Sequence, residues 1–410
     1  MDTRTDLEAA DTQANTELVT RYVSEIFMID ALTMGGRQQG YFARYQGLLK
    51  RDSEQAHTWL FEKLQPLQLP PIFRWDGKRQ EILIVHSMAK PKNGKLWVNI
   101  LLFGLTFLSV LYAGASFVAE ADPFASSITI GGILKFLWQG WPFAVSFLAI
   151  LGTHEFGHYL MGRHHKVNVS LPYFIPFPMS LVGTMGAFIN MKEIPRNRKQ
   201  LFDIAIAGPL AGLLVAIPVL FIGLSLSSLD VIPASIPEGM GYQLEGNSIF
   251  YLLAKFIVFG KWLPQPADFG GLSPLAYWLG FFFTGRPLPL GGIDVIIHPV
   301  AWAGWVGLLI TMLNLIPAGQ FDGGHVFQVF AGRKVAQIIQ PLIIVILVVL
   351  GFAWNGWWLW AALIFLMGRR YAEPLDQITT IDKKRKMLAI LVCIIFVLIF
   401  IPVPLMIVTG

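Results

Sequence analysis

The sequence has a single cysteine, Cys393, in 410 residues, and Asp, Glu, Lys and Arg together make up only 14% of it. One cysteine excludes a disulfide within the chain. Soluble domains carry about 25% charged residues, so the shortage of charge excludes an ordinary water-soluble protein. The charges present are unevenly spread. Residues 1–90 hold 12 acidic and 11 basic side chains, 23 of the chain's 57. Long apolar runs dominate the remainder, and mean hydropathy is +0.57. The net charge of +5 does not point to nucleic acid, because the cations cluster beside apolar runs. The opening 20 residues are polar and partly acidic, which predicts no cleavable signal peptide.

This pattern predicts a mainly α fold. Residues 91–410 read as a polytopic α-helical membrane domain of about seven spans, and residues 1–90 as a small soluble α+β domain. In the latter the first 15 or so residues read as disordered. Glu17–Met34 has helical spacing, Gly40–Leu49 reads as a strand, and Asp52–Leu67 as a helix capped by Asp52. Ile72–Trp75 and Glu81–His86 read as a hairpin around Asp76-Gly77.

A membrane helix needs about 20 largely apolar residues. The predicted spans are Leu96–Ala119, Trp141–Met161, Phe202–Leu226, Pro299–Pro317, Val335–Ala353, the short Trp357–Met367, and Met387–Pro402. Residues 227–298 form an extracytoplasmic loop, with Ser248–Phe259 and Tyr277–Phe283 as interfacial or re-entrant pieces. Basic residues set the orientation. Lys90, Lys92 and Lys95 precede the first span, and Glu120 and Asp122 follow it. Arg163 and Lys166, Arg196, Arg198 and Lys199, Arg369 and Arg370, and the Lys383–Lys386 run all fall on the side of the N-terminus. That side is predicted to be the cytoplasm.

The second span carries Thr153-His154-Glu155-Phe156-Gly157-His158. Positions i and i+4 share one helix face, so His154 and His158 can grip one ion, while Glu155 is rotated away and can reach a water molecule. Ionisable groups at membrane depth cost about 2.5–3.5 kcal/mol each on insertion scales. Three of them in five positions need a common partner, and a divalent cation supplies one. Hydrolytic zinc takes three protein ligands and leaves a place for water. The predicted third ligand is Asp322, in the Pro/Gly-broken run Asn314-Leu315-Ile316-Pro317-Ala318-Gly319-Gln320-Phe321-Asp322-Gly323-Gly324-His325. One Zn2+ with the carboxylates of Asp322 and Glu155 is near neutral, which a low dielectric favours. His325 competes as a ligand, against a reading as a loop histidine. Asn314 reads either as a donor to a developing oxyanion or as an interhelical polar contact.

At these residues the chain resembles the site-2 protease family of intramembrane zinc metalloproteases. One signature is His154-Glu155-x-x-His158. The other is Asn314-x-x-Pro317 followed by Asp322-Gly323. Phe188–Gly212, with Arg198-Lys199-Gln200-Leu201-Phe202-Asp203 leading into Ala205-Ile206-Ala207-Gly208-Pro209-Leu210-Ala211-Gly212, is similar to the EGY-like branch of plastids and cyanobacteria. The resemblance covers about residues 95–370. It implies zinc held by His154, His158 and Asp322, and Glu155 as catalytic base. It also implies a transmembrane protein as substrate and a multi-pass location in a cell (inner) membrane or a thylakoid or plastid membrane. Ala318-Gly319-Gln320 departs from a proline-richer run in many members.

Gly208 and Gly212 read as a close-packing pair, and His164 and His165 as a solvated face. Residues 167–192 contain Pro172, Pro176, Pro178, Gly183 and Gly186, which excludes a regular helix. They are predicted to form a membrane-dipping hairpin that pairs with an unwound substrate. A metal-binding scaffold or transporter, and a hydrolase of lipids, are the competing classes. A transporter wants polar residues along several spans, and the spans here have few.

Overall fold

The computed structural model describes residues 3–36, 39–86, 94–118, 129–236, 241–367 and 372–409. Lys90, Lys92, Glu120, Asp122, Arg369 and Arg370 lie outside the described residues. The chain forms two compact units.

The first unit contains α1 (Thr3–Ile26), β1 (Phe27–Met34), β2 (Tyr41–Leu49), α2 (Ser53–Leu64), β3 (Pro71–Asp76) and β4 (Arg79–Val85). The strands form one antiparallel sheet in the order β1-β2-β4-β3. Val19, Val23 and Ile26 recur at helical spacing on α1, and Ala56, Leu60 and Leu64 do so on α2. Both stripes are buried in one core with Tyr45, Phe73, Ile82 and Ile84 of the sheet. Asp52 caps α2 as predicted, accepting from the amides of Glu54 and Gln55, and β3 and β4 form the predicted hairpin.

One expectation fails here. The helical spacing of Glu17–Met34 stops at Ile26, and Phe27–Met34 pairs with β2 instead. Sheet pairing overrides a weak local preference. α1 begins at Thr3. Residues 3–26 contain no Gly or Pro to break a helix.

Residues 1–90 do not complete this unit, because Lys192–Phe202 and Ala372–Arg385 also belong to it. The β3 amide of Phe73 donates to the Leu375 carbonyl, and Gln377 donates back to Phe73. Leu375 and Asp376 in turn donate to the carbonyls of Pro195 and Arg196. Asp376 is fully buried, and its carboxylate accepts from Ser53, Thr379 and the amide of Ile378. Glu54 receives Asn197 at 3.0 Å and Lys199 at 2.5 Å. Such distant pairings leave no periodic trace in sequence.

The second unit carries the apolar helices. They are α3 (Leu96–Val118), α4 (Ile130–Gln139), α5 (Trp141–His164), α6 (Arg198–Ser225), α7 (Ile249–Phe259), α8 (Pro274–Thr284), α9 (Pro299–Asn314), α10 (Asp322–Ala331), α11 (Arg333–Leu350), α12 (Gly356–Met367) and α13 (Lys383–Ile399). Among the described residues α3, α6 and α11 are long and apolar enough to cross a membrane. The pair α4–α5, bent by 54°, adds a fourth crossing if counted as one span. α9 and α12 are shorter apolar helices. These helices make the chain a membrane protein. α4 was not foreseen. It breaks from α5 at Gly140, where Pro142 starts the new helix.

The expected hairpin segment folds as β5 (Tyr173–Pro176) paired with β6 (Thr184–Phe188). It packs on α3, whose Asn99 donates to the carbonyls of Leu171 and Pro172 and whose Ser109 donates to that of Gly183. Gly183 has φ +78° and backs directly onto Ser109, leaving no room for a Cβ. In the 227–298 region β7 (Ser228–Val231) pairs with β9 (Ile293–Ile296), and β8 (Gly241–Glu245) pairs with the final strand β10 (Leu405–Thr409).

Candidate active site

Helix α5 places His154 and His158 one turn apart, with their Nε2 atoms 3.2 Å from each other. Both are buried, at 3% and 6% exposure, and Glu155 between them is 5% exposed. The His158 Nδ1–H donates to the carbonyl of Ile204 at 2.7 Å. In a neutral imidazole that bond leaves the Nε2 lone pair free.

Asp322 arrives from a different part of the chain. α9 ends at Asn314, and the chain then turns back on itself through Ile316, Ala318 and Gly319, whose φ is +59°. Gly323 lies against the Leu315 carbonyl and Gly324 against those of Ala318 and Gly319, closer than any Cβ would allow. The Asp-Gly-Gly run therefore lets the first turn of α10 press onto the end of α9. Asp322 opens α10, and one carboxylate oxygen lies 3.4 Å from His154 Nε2 and 3.2 Å from His158 Nε2. The three ligand atoms lie within 4.8 Å of one another.

Two nitrogen acceptors and a carboxylate oxygen facing one point are a donor set for a divalent cation. Two histidines and one carboxylate also make a set typical of hydrolytic zinc sites. Helix α6 fits the same reading. Gly208 faces the His158 ring so closely that a Cβ there would overlap Nε2. Gly212 stands behind His154, where a Cβ would come within 3.2 Å of the histidine's own Cβ. The pair was expected to serve packing, and the surfaces it packs against are the side chains of His158 and His154.

The other expected site residues have different surroundings. Glu155 lies in the field of both histidines and Asp322. The Asn314 amide nitrogen is 3.4 Å from His154 Nε2. His325 stands outside the ligand group, and its Nδ1 is buried without a hydrogen-bond partner among the described residues. The solvated face expected at His164 and His165 holds only for His164. His165 pairs with Asp203 at 2.9 Å. No periodicity ties residue 165 to residue 203, so sequence reasoning missed that contact. A small cavity is lined by Phe147, Ile150, Leu151, Gly307, Thr311 and His154.

The model of peptidase family M50 matches residues 142–354, a stretch that includes every residue of this cluster. The chain is 29% identical over 333 residues to a protein of Arabidopsis thaliana named "Probable zinc metalloprotease EGY2, chloroplastic", covering 80% of this chain and 53% of that one. It is 30% identical over 272 residues to the EGY2 protein of Oryza sativa subsp. indica, covering 66% and 44%. To "Probable zinc metalloprotease EGY1, chloroplastic" of Arabidopsis thaliana it is 26% identical over 387 residues, covering 90% and 64%. The chain spans about half the length of the first of these curated relatives. No solved structure matches the chain at a significant level.

Proposed function

The chain belongs to peptidase family M50, the site-2 protease family, and from that premise we propose that it is a zinc-dependent intramembrane endopeptidase. Its substrate is the transmembrane segment of another membrane protein. The observation that carries this reading is the meeting of His154 and His158 of α5 with Asp322 of α10.

His154, His158 and Asp322 would hold the metal. Zinc, when bound, polarises the scissile carbonyl and acidifies water. Glu155 takes the proton from the attacking water and returns it to the leaving nitrogen. Asn314, beside His154, donates its amide hydrogen to the developing oxyanion. Burial of His154, Glu155 and His158 limits the competition of bulk water for their hydrogen bonds.

A peptide bond inside a helix is shielded by its own hydrogen bonds, so the substrate must unwind and its freed backbone groups need partners. The β5–β6 hairpin dips into the membrane and supplies an edge for that pairing. It carries an exposed apolar surface at Met179, Leu181 and Met185. Proline substitutions along residues 182–189 that left cleavage unchanged would sink the pairing.

Two closures in the fold support seven spans, α3, α5, α6, α9, α11, α12 and α13, with a cytoplasmic N-terminus. Segments 192–202 and 372–385 share a compact unit with the N-terminal residues, so an even number of crossings separates each from them. β8 and β10 pair, which supports an even number of crossings between the segment after α6 and the segment after α13. Arg196, Arg198, Lys199 and Lys383–Arg385 then fall on the cytoplasmic side, as the distribution of positive charge requires. The membrane is the cell (inner) membrane or its plastid counterpart, in keeping with the relatives named as chloroplastic.

The deciding experiment is Glu155→Gln in the full chain, reconstituted with a single-span protein substrate. Zinc should stay bound, and cleavage should fall by about 10²–10⁴. Full cleavage by the variant would remove the acid–base role. A wild type that cuts no membrane protein but hydrolyses lipid esters would point to the other hydrolase class. A wild type that holds zinc and cuts neither would be a scaffold.

A further inference from the structure

The Ile204 carbonyl sets which nitrogen of His158 carries the proton, and a single contact of 2.7 Å holds that arrangement. Helix α6 could slide or rotate by a fraction of its 1.5 Å rise and lose it. A second polar contact stands next to the first. Asp203, the residue before Ile204, meets His165 Nε2 at 2.9 Å. The two side chains are 15% and 18% exposed. His165 lies seven residues beyond His158, two helical turns along the same face of α5.

The end of α5 is built to present His165. Val167 donates its amide to the Gly162 carbonyl at 2.9 Å, and Lys166 donates to that of Arg163 at 3.0 Å. These are the two bonds of a Schellman C-cap. Lys166 occupies the left-handed position with φ 58°, which costs a non-glycine residue energy, so the cap is held by its hydrogen bonds and by the packing of the residues after it. Val167 and Val169 pack against Ile204 in one small core. The same turn therefore places an apolar contact on Ile204 and a polar one on its neighbour.

We infer that His165 and Asp203 are positioning residues for the metal site. Their contact holds α6 in register with α5, so that Ile204 keeps the proton on His158 Nδ1 and the Nε2 lone pair faces His154 and Asp322. Neither residue touches metal or substrate. The inference rests on the reading of His154, His158 and Asp322 as zinc ligands.

The test compares variants that break the contact with variants that conserve it. His165→Leu and Asp203→Leu remove it. His165→Gln keeps a donor at similar reach, and Asp203→Asn keeps an acceptor. His165→Asn is polar but too short, and it replaces the leucine variant if that one does not fold. Zinc affinity is measured on the detergent-solubilised full chain by competition with a chelator, beside the thermal midpoint and the KM and kcat for a single-span substrate.

The contact-breaking variants should weaken zinc binding about 10–100-fold, the usual effect of losing a group that orients a ligand. The double leucine variant should be no weaker than either single one. The conserving variants should stay within about threefold of wild type. KM should be unchanged, and kcat lost at limiting zinc should return when zinc is added. Contact-breaking variants that bind zinc within about threefold of wild type, or a raised KM with unchanged zinc affinity, would overturn the positioning role alone. A wild-type chain that takes up no zinc would overturn the site reading as well.

Discussion

The two halves of the proposed zinc site are built in opposite ways. α5 is an unbroken helix of 24 residues, and its regularity alone brings His154 and His158 to one point. The other half is a break. α9 stops at Asn314, and the chain doubles back over Gly319 before α10 opens on Asp322. The regular half is braced from behind by α6. The broken half depends on glycines at 323 and 324 that let backbone meet backbone. Two proposed ligands on a rigid element and a third on a tight turn would make a site that either half can disable.

The largest expected effect within the braced half comes from Gly208→Ala. A Cβ there overlaps His158 Nε2, so zinc affinity measured by chelator competition should fall about tenfold or more. Gly212→Ala adds a contact at 3.2 Å, which a small shift relieves, and should change affinity by less than about threefold. Equal losses for the two would mean that α6 packs on α5 without bearing on the ligand nitrogen.

The broken half gives a different signature. Asn314→Ala removes a donor beside His154 but no metal ligand. Single-turnover kinetics should show kcat reduced about 10²–10³-fold, as for other oxyanion donors, with zinc retained. Loss of zinc in this variant would assign Asn314 to holding the site together instead.

How far the sequence reveals the molecule follows the same division. His154, Glu155 and His158 were legible because a helix turns spacing into geometry. Asp322 was legible from a charge argument and from the Pro/Gly break. Most long apolar helices followed from hydropathy. Contacts with no period were not legible: β1 pairing with β2, Asp376 joining the edge of β3, Asp203 meeting His165, and Gly208 facing a ligand ring. Each depends on which distant segment comes to lie beside it. α4 escaped because ten residues are too few to register as a span.

The smallest expected effect lies in the first compact unit and serves as a control. His57 is 1% exposed between Phe61 and Phe73, with Nε2 3.1 Å from the Pro71 carbonyl. Burial pushes its pKa below the usual value, which is about 6.5. The unfolded chain therefore binds a proton more readily than the folded one. Stability from this group is complete above about pH 6.5 and declines as pH falls toward the depressed folded value. Thermal unfolding of wild type should move to lower temperature between about pH 7 and 5, and His57→Gln should flatten that dependence. Zinc affinity should be the same in wild type and His57→Gln at each pH. A difference would tie this unit to one half of the site.

The most direct test of the divided site is the zinc content of purified full-length protein. Wild type and Glu155→Gln should each hold about one zinc per chain, whereas His158→Ala and Asp322→Ala should each hold less than about a tenth of that. An Asp322→Ala chain that keeps a full zinc would contradict the account, because α5 would then hold the ion without the second half.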